Sequence, residues 1–286
     1  PAYVSGFSGA KGSVRMAPAL ASDKRAVSTR LYYLDWLRVL IIGMVFVGHC
    51  LMPFSGAPWL ITADARLRYG PWLAAVGNQF AMPVMFLIAG AGAYFSLRKR
   101  APARFARERL LRLGLPYLLF TLLLSPVQAY YAARNAGTYS GPFFPDFLPR
   151  FFNLNGFTRF DLSFLGHYGY HLWFLGYLLV FSVAFLPLIG YLKGSAGQRL
   201  TDRLARVGSK RGGLLLLFLP FALLQLIVFP LAPHYQGWAN TLFWGGFFVL
   251  GYLFYSDARF TAALRRDWKI WAAAAGLTML AMLVIA

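Results

Sequence analysis

Acidic residues are scarce in this chain. It has 9 Asp and Glu against 28 Lys and Arg, and charged residues of all kinds make up only 13% of its 286 residues. A water-soluble domain carries about 25% charged residues, so such a surface cannot be built here. Cysteine is almost absent as well: Cys50 is the only one, which excludes an intrachain disulfide and leaves the redox compartment open. No internal repeat, heptad pattern or signal-peptide core is present. What fills the chain instead is apolar: 59% of residues are hydrophobic and 18% aromatic. The composition is that of an integral membrane protein. A net charge of +19 would suit nucleic acid if it formed one patch. It is confined to a few polar segments between apolar runs, so no nucleic-acid partner is expected and the lipid bilayer is the expected surroundings.

Seven apolar runs can be read, at about 34–54, 78–97, 113–131, 171–192, 213–231, 238–255 and 271–286. The expected fold is all-α, a polytopic transmembrane helix bundle of about seven spans. Residues 1–33, rich in Gly, Ala and Ser and basic, read as a disordered cytoplasmic tail. Residues 34–286 read as a single membrane domain whose last helix is incomplete at the C-terminus. In the second run, Pro83 and the small residues Ala89, Gly90, Ala91, Gly92 and Ala93 favour close helix packing and a kink. No pair of matched broken spans is apparent.

Placing the amino terminus inside puts 22 of the 28 basic residues on the inner side, in the tail and in the segments after spans two, four and six. The positive-inside rule then orients the chain with its N-terminus cytoplasmic. The densest of these segments is 98–112, with Arg98, Lys99, Arg100, Arg104, Arg107, Arg109 and Arg112 against the single acid Glu108. It suits contact with anionic lipid, and equally a clamp for a phosphorylated ligand, since guanidinium binds phosphate bidentately.

The first run, LDWLRVLIIGMVFVGHCLMPF, holds Asp35, Arg38 and His49. Ionisable groups inside a span cost roughly 3 kcal/mol or more each. Arg38 and His49 are eleven residues apart, which at about 100° per residue returns to within ~20° of one helix face, with His49 ~16 Å deeper. Asp35, three residues before Arg38, lies on the same stripe and supports it. Asp35 and Arg38 taken alone could be interfacial anchors that snorkel to the headgroups. A mid-span imidazole cannot, and it points to proton transfer, as general base on a hydroxyl. Cys50 points about 100° away from His49, against a Cys-His nucleophilic pair.

The outer loop 132–170 is crowded with aromatics (Tyr139, Phe143, Phe144, Phe147, Phe151, Phe152, Tyr168, Tyr170) and is followed by His171 and Trp173. Most read as an interfacial belt. His171 and Trp173 are candidates for the side that meets an amphipathic acceptor. His167 and His171 lack a third ligand, so no metal site is expected.

These residues carry a resemblance. YYLDWLRVLIIGMVFVGH resembles the start of the acyltransferase-3 family of bacterial membrane acyltransferases, whose signature is an Arg, ten residues, then a His in the first transmembrane helix, here Arg38 and His49. An Arg-x-x-Arg pair before the third helix matches Arg109 and Arg112 in RERLLRLGLP. MPVMFLIAGAGAYFSL, HLWFLGYLLVFS and GYLFYSDARF are similar to the branch that includes a glucan biosynthesis protein succinylating periplasmic glucans. The resemblance implies a protein of about ten helices in the bacterial inner membrane. It would move an acetyl or succinyl group from cytoplasmic acyl-CoA to a hydroxyl of an extracytoplasmic glycan, with no permanently bound cofactor. It also implies that His49 is the catalytic histidine, Arg38 its essential partner, and Arg109 and Arg112 the donor-binding pair. From the residues alone a transporter or flippase remains open, using the Asp35/Arg38/His49 stripe as a proton or substrate pathway.

Overall fold

Apolar stretches become helices here, and proline stands in the first turn of several of them. The computed structural model describes residues 31–57, 59–153, 162–231 and 233–285. The predicted tail therefore lies almost wholly outside the described residues. In chain order the helices are α1 (Tyr32–Leu51), α2 (Gly70–Leu97), α3 (Pro102–Arg109), α4 (Leu115–Leu123), α5 (Ser125–Asn135), α6 (Leu148–Phe151) and α7 (Ser163–Gly169). They continue with α8 (Trp173–Ala184), α9 (Leu186–Lys193), α10 (Ser195–Gly208), α11 (Leu214–Leu223), α12 (Trp238–Ser256), α13 (Ala258–Arg266) and α14 (Trp268–Ile285). No strand occurs among the described residues, so the expected all-α class holds. Residues Tyr33–Ala286 form one compact unit.

Three helices among the described residues are long and apolar enough to cross a membrane unbroken: Tyr32–Phe54, Gly70–Leu97 and Leu214–Leu231. Three further spans are bent pairs, Pro102–Leu123 with Ser125–Asn135 (45°), Ser163–Ala184 with Leu186–Lys193 (42°), and Ala258–Arg266 with Trp268–Val284 (65°). The nineteen residues of α12 cover the predicted run 238–255, but α12 is not among the helices long and apolar enough to cross a membrane, so up to six spans are found among the described residues where seven were expected. The bends break apolar runs that the sequence presents as continuous spans. Pro126 and Pro187 stand in the first turns of α5 and α9, where the missing N–H and the ring oppose an unbroken ladder. Pro83, by contrast, is accommodated within a continuous α2. The segment 98–112 also differs from the predicted loop. Pro102 opens α3, good helix formers follow, and the helix runs on through a wide turn at Leu110–Gly114 into α4.

The centre of the bundle is the crossing of α2 and α12. A Cβ at Gly90 would stand 1.8 Å from the carbonyl oxygen of Phe248, and one at Gly251 would stand 1.9 Å from that of Leu87. Backbone thus touches backbone, as small residues permit between membrane helices. Around this crossing Phe86, Tyr177, Phe181, Trp244 and Phe248 pack as a buried aromatic core. Away from it the polarity inverts. Leu and Val side chains of α1, α4, α11 and α14 are exposed, for example Val39, Leu118, Leu216 and Val284. Such surfaces are stable facing lipid rather than water.

The basic segments meet at one end of the bundle. Lys193 Nζ donates to the Leu97 carbonyl (2.9 Å), Tyr33 and Tyr255 share a hydroxyl hydrogen bond (2.6 Å), and Arg259 bridges Asp202 and Asp257 (2.7 Å each). Asp267, at the bend between α13 and α14, is buried and accepts from Arg266 Nε (2.8 Å) and from the Gly212 N–H (2.9 Å).

Gly251→Ala should destabilise the protein by about 1–3 kcal/mol through overpacking. Gly276→Ala, whose Cβ meets nothing within 4 Å, should change stability by less than about 0.5 kcal/mol. Thermal unfolding in detergent reads both. Asp267→Asn, which removes the ion pair with Arg266 and weakens the contact with the Gly212 N–H, should lower the unfolding midpoint at neutral pH in the same assay.

Candidate functional site

The polar stripe of α1 divides between the two ends of the bundle. At the basic end Arg38 pairs with Asp35 at 3.7 Å, as its spacing predicts. Arg38 is also near enough to act electrostatically on Arg109, together with Arg112 and Arg100. The Arg109 guanidinium lies 4.9 Å over the ring of Phe105, itself buried, so the end of α3 is held in place by its own apolar anchor. Glu108, the acid of this segment, is engaged by Arg100 (2.9 Å) and Arg104 (3.1 Å). Arg38, Arg109 and Arg112 consequently gather positive charge at one mouth of the bundle. Three guanidinium groups held together repel one another, and a polyanion relieves that repulsion.

His49 lies at the other end. Its Nδ1 is 2.7 Å from the Val45 carbonyl oxygen. A carbonyl only accepts, so Nδ1 donates to it and Nε2 is the ring nitrogen not engaged by this bond. Three residues on, the 3-10 turn Met52–Phe54, with Pro53 inside, ends the α1 span. The chain then folds back over its own end. Ser55 Oγ donates to the Met52 carbonyl (2.7 Å), the Ala63 N–H donates to Pro53 O (2.9 Å), and the Leu67 N–H donates to Phe54 O (2.9 Å). Gly70 closes the loop against Ser55, where a Cβ would come within 2.6 Å of the Ser55 Cα. This strap sets Trp59 against His49, ring centroids 5.5 Å apart.

His171 completes the group, 5.0 Å from the ring of His49 and 5.5 Å from that of Trp59. Its Nδ1 is hydrogen-bonded to Gln128 Oε1 of α5. Tyr170, just before it, has φ of +47°, a conformation a tyrosine adopts only under constraint. The constraint is visible in the packing of α7 and α8 on α4. Tyr117 donates to the Leu165 carbonyl (2.8 Å), and Gly169 and Gly176 leave room for its ring.

A cavity of about 130 Å³ opens beside His49, between α1 and α2. Trp173 and Tyr235 wall its aromatic side. The loop bearing Tyr235 is held by Asn240, which donates to the Tyr235 carbonyl (2.8 Å), and by Tyr177, which donates to that of Gln236 (3.0 Å).

The residues singled out from the sequence thus fall into two groups. Arg38, Asp35, Arg109 and Arg112 form one; His49, His171 and Trp173 form the other. Arg38 is not brought to the imidazole of His49, because a straight helix separates them by ~16 Å. Several aromatics of the outer loop pack on one another, as in Tyr139–Phe147 and Phe143–Phe144. Trp59, Gln128 and Tyr235 were not singled out from the sequence. Gln128 had a usable signal, an amide within an apolar run. Trp59 and Tyr235 did not, since only the strap and the turn before α12 carry them to the cavity.

No curated protein and no solved structure matches this chain. A family model, the acyltransferase domain of acyltransferase-3 type, matches residues 31–286. With its membrane-type helices, the chain belongs to the acyltransferase-3 family and is a membrane-embedded acyltransferase, a transferase of groups other than aminoacyl groups.

Proposed function

We propose that the protein moves an acyl group from acyl-CoA, bound at the basic end, to a hydroxyl of a glycan acceptor at the end that holds His49. The observation that carries this reading is the disposition of His49: an imidazole with Nδ1 committed to Val45, set beside a cavity at the far end of α1 from Asp35 and Arg38. Arg38, Arg109 and Arg112 take the phosphates of the donor, with Asp35 supporting Arg38. The length of α1 between Arg38 and His49 is then spanned by the extended pantetheine arm, which carries the thioester towards the imidazole.

In the chemical step Nε2 of His49 accepts the proton of the acceptor hydroxyl while that oxygen attacks the thioester carbonyl carbon. The tetrahedral intermediate collapses as the carbon–sulfur bond breaks. The departing thiolate of CoA takes the proton back from the imidazolium, so atoms and charge balance and the histidine is regenerated. His171 and Trp173 meet the acceptor, whose sugar faces stack on the aromatic wall. The gathering of basic segments at one end supports a cytoplasmic N-terminus in a bacterial inner membrane. Segments similar to the glucan-succinylating branch support a periplasmic glucan as acceptor.

Membranes carrying the full chain, supplied with labelled acyl-CoA, should transfer label to a glycan fraction identified by mass. His49→Ala should lower this rate by about 10²–10⁴-fold with membrane insertion unchanged. Full activity in that variant, or passage of a solute across the membrane without consumption of acyl-CoA, overturns the mechanism. Arg109→Ala should raise KM for acyl-CoA by about tenfold or more, the worth of a lost charge-assisted hydrogen bond, with little change in kcat.

A further inference from the structure

The cavity beside His49 has a chemistry that a sugar does not match. Met44, Val45, Leu73, Ala74, Gly77 and Met82 supply much of its lining. Ser55, the one hydroxyl of a serine or threonine in the wall, is spent: its Oγ donates to Met52 O and accepts from the Ala57 N–H (3.1 Å). Among the described residues no Lys, Arg, Asp or Glu lines the space. A polyhydroxylated ring placed there would leave most of its hydroxyls without partners, which is costly out of water. A carboxylate would lie among methyl and thioether groups with no fixed countercharge. At about 130 Å³ the space is close in size to an apolar cavity of ~150 Å³ that binds benzene, a six-carbon guest. The aromatic side formed by Trp59, Trp173 and Tyr235 faces the same histidine and is left for the acceptor.

We infer that this cavity holds the acyl group of the donor during transfer, and that the group it selects is an uncharged hydrocarbon chain of about four to six carbons rather than acetyl or succinyl. The inference rests on the acyl-transfer reading above and gives its donor a chemical class. It places the thioester carbonyl at the cavity mouth beside Nε2 of His49, with the chain between α1 and α2. Gly77 is the position from which this can be tested. It lines the cavity, and a Cβ added there meets nothing within 4 Å, so a longer side chain enters the space without displacing backbone.

The test is saturation binding of CoA, acetyl-CoA, butyryl-CoA and succinyl-CoA to the full chain in detergent, alongside transfer assays in membranes with the same donors. Butyryl-CoA should bind about tenfold more tightly than acetyl-CoA, the worth of two buried methylenes. It should bind about a hundredfold more tightly than succinyl-CoA. Gly77→Leu should erase the butyryl advantage while leaving CoA itself bound as in wild type. Should that variant fail to accumulate, Leu73→Ala enlarges the same space and should move the preference to a longer chain. If all the donors bind equally, or succinyl-CoA is preferred in binding and transfer, the cavity is not the acyl site, although acyl transfer stands. If neither CoA nor any acyl-CoA binds or reacts, the donor reading itself fails and the inference with it.

Discussion

Everything in this bundle is hung on the crossing of α2 and α12, where two glycines let backbone meet backbone. Lipid offers no hydrophobic drive for one helix to prefer another, so close van der Waals contact must supply it. Gly90 against Phe248 and Gly251 against Leu87 provide that contact. The crossing then sets the distance at which Phe86, Trp244 and Phe248 interlock. It also sets where each end of α2 lies. One end receives Lys193 on the Leu97 carbonyl, gathering the basic segments; the other forms a wall of the cavity at His49. The two functional regions are thus opposite ends of one rigid pair.

Against that pair α1 is lightly held. Ile41 is its only fully buried residue. Yet α1 carries both Arg38 and His49, and its ends are fixed by other means. Tyr33 binds Tyr255 at one end, and the strap from Met52 to Gly70 folds over the other. Anchored at its termini rather than along its length, α1 keeps much of its side exposed. Tyr170 reinforces the idea that the far end is built for chemistry. Its positive φ is imposed just before the residue that meets His49, and strain of this kind persists only where packing on both sides enforces it.

How much of this was legible can be judged residue by residue. The small-residue run of α2 pointed to close packing, and Gly90 fulfils it, whereas a Cβ on Gly92 would meet nothing within 4 Å. The Asp35–Arg38 pair follows from helical spacing and is present. The bends at Leu124 and Phe185 were missed, although Pro126 and Pro187 marked them, because an apolar run of spanning length masks a break within it. The helical character of 98–112 was missed because charge density reads as a loop when hydrophobicity is the yardstick. His171 was singled out for its place after the aromatic loop, yet its contact with His49 joins residues 122 positions apart, which no local pattern encodes.

By itself the sequence determined that this chain lives in a membrane, that it is helical, and that Arg38 and His49 share a face of one span. Composition, the length of apolar runs and helical period are local properties, and the bilayer enforces them uniformly. Only the tertiary structure decided that Arg38 belongs with Arg109 and Arg112, that His49 belongs with His171 and Trp59, and that the space beside His49 is apolar. Those groupings depend on which helices touch and how closely. That was settled by two glycines, two proline bends and a strap of backbone hydrogen bonds acting across the fold.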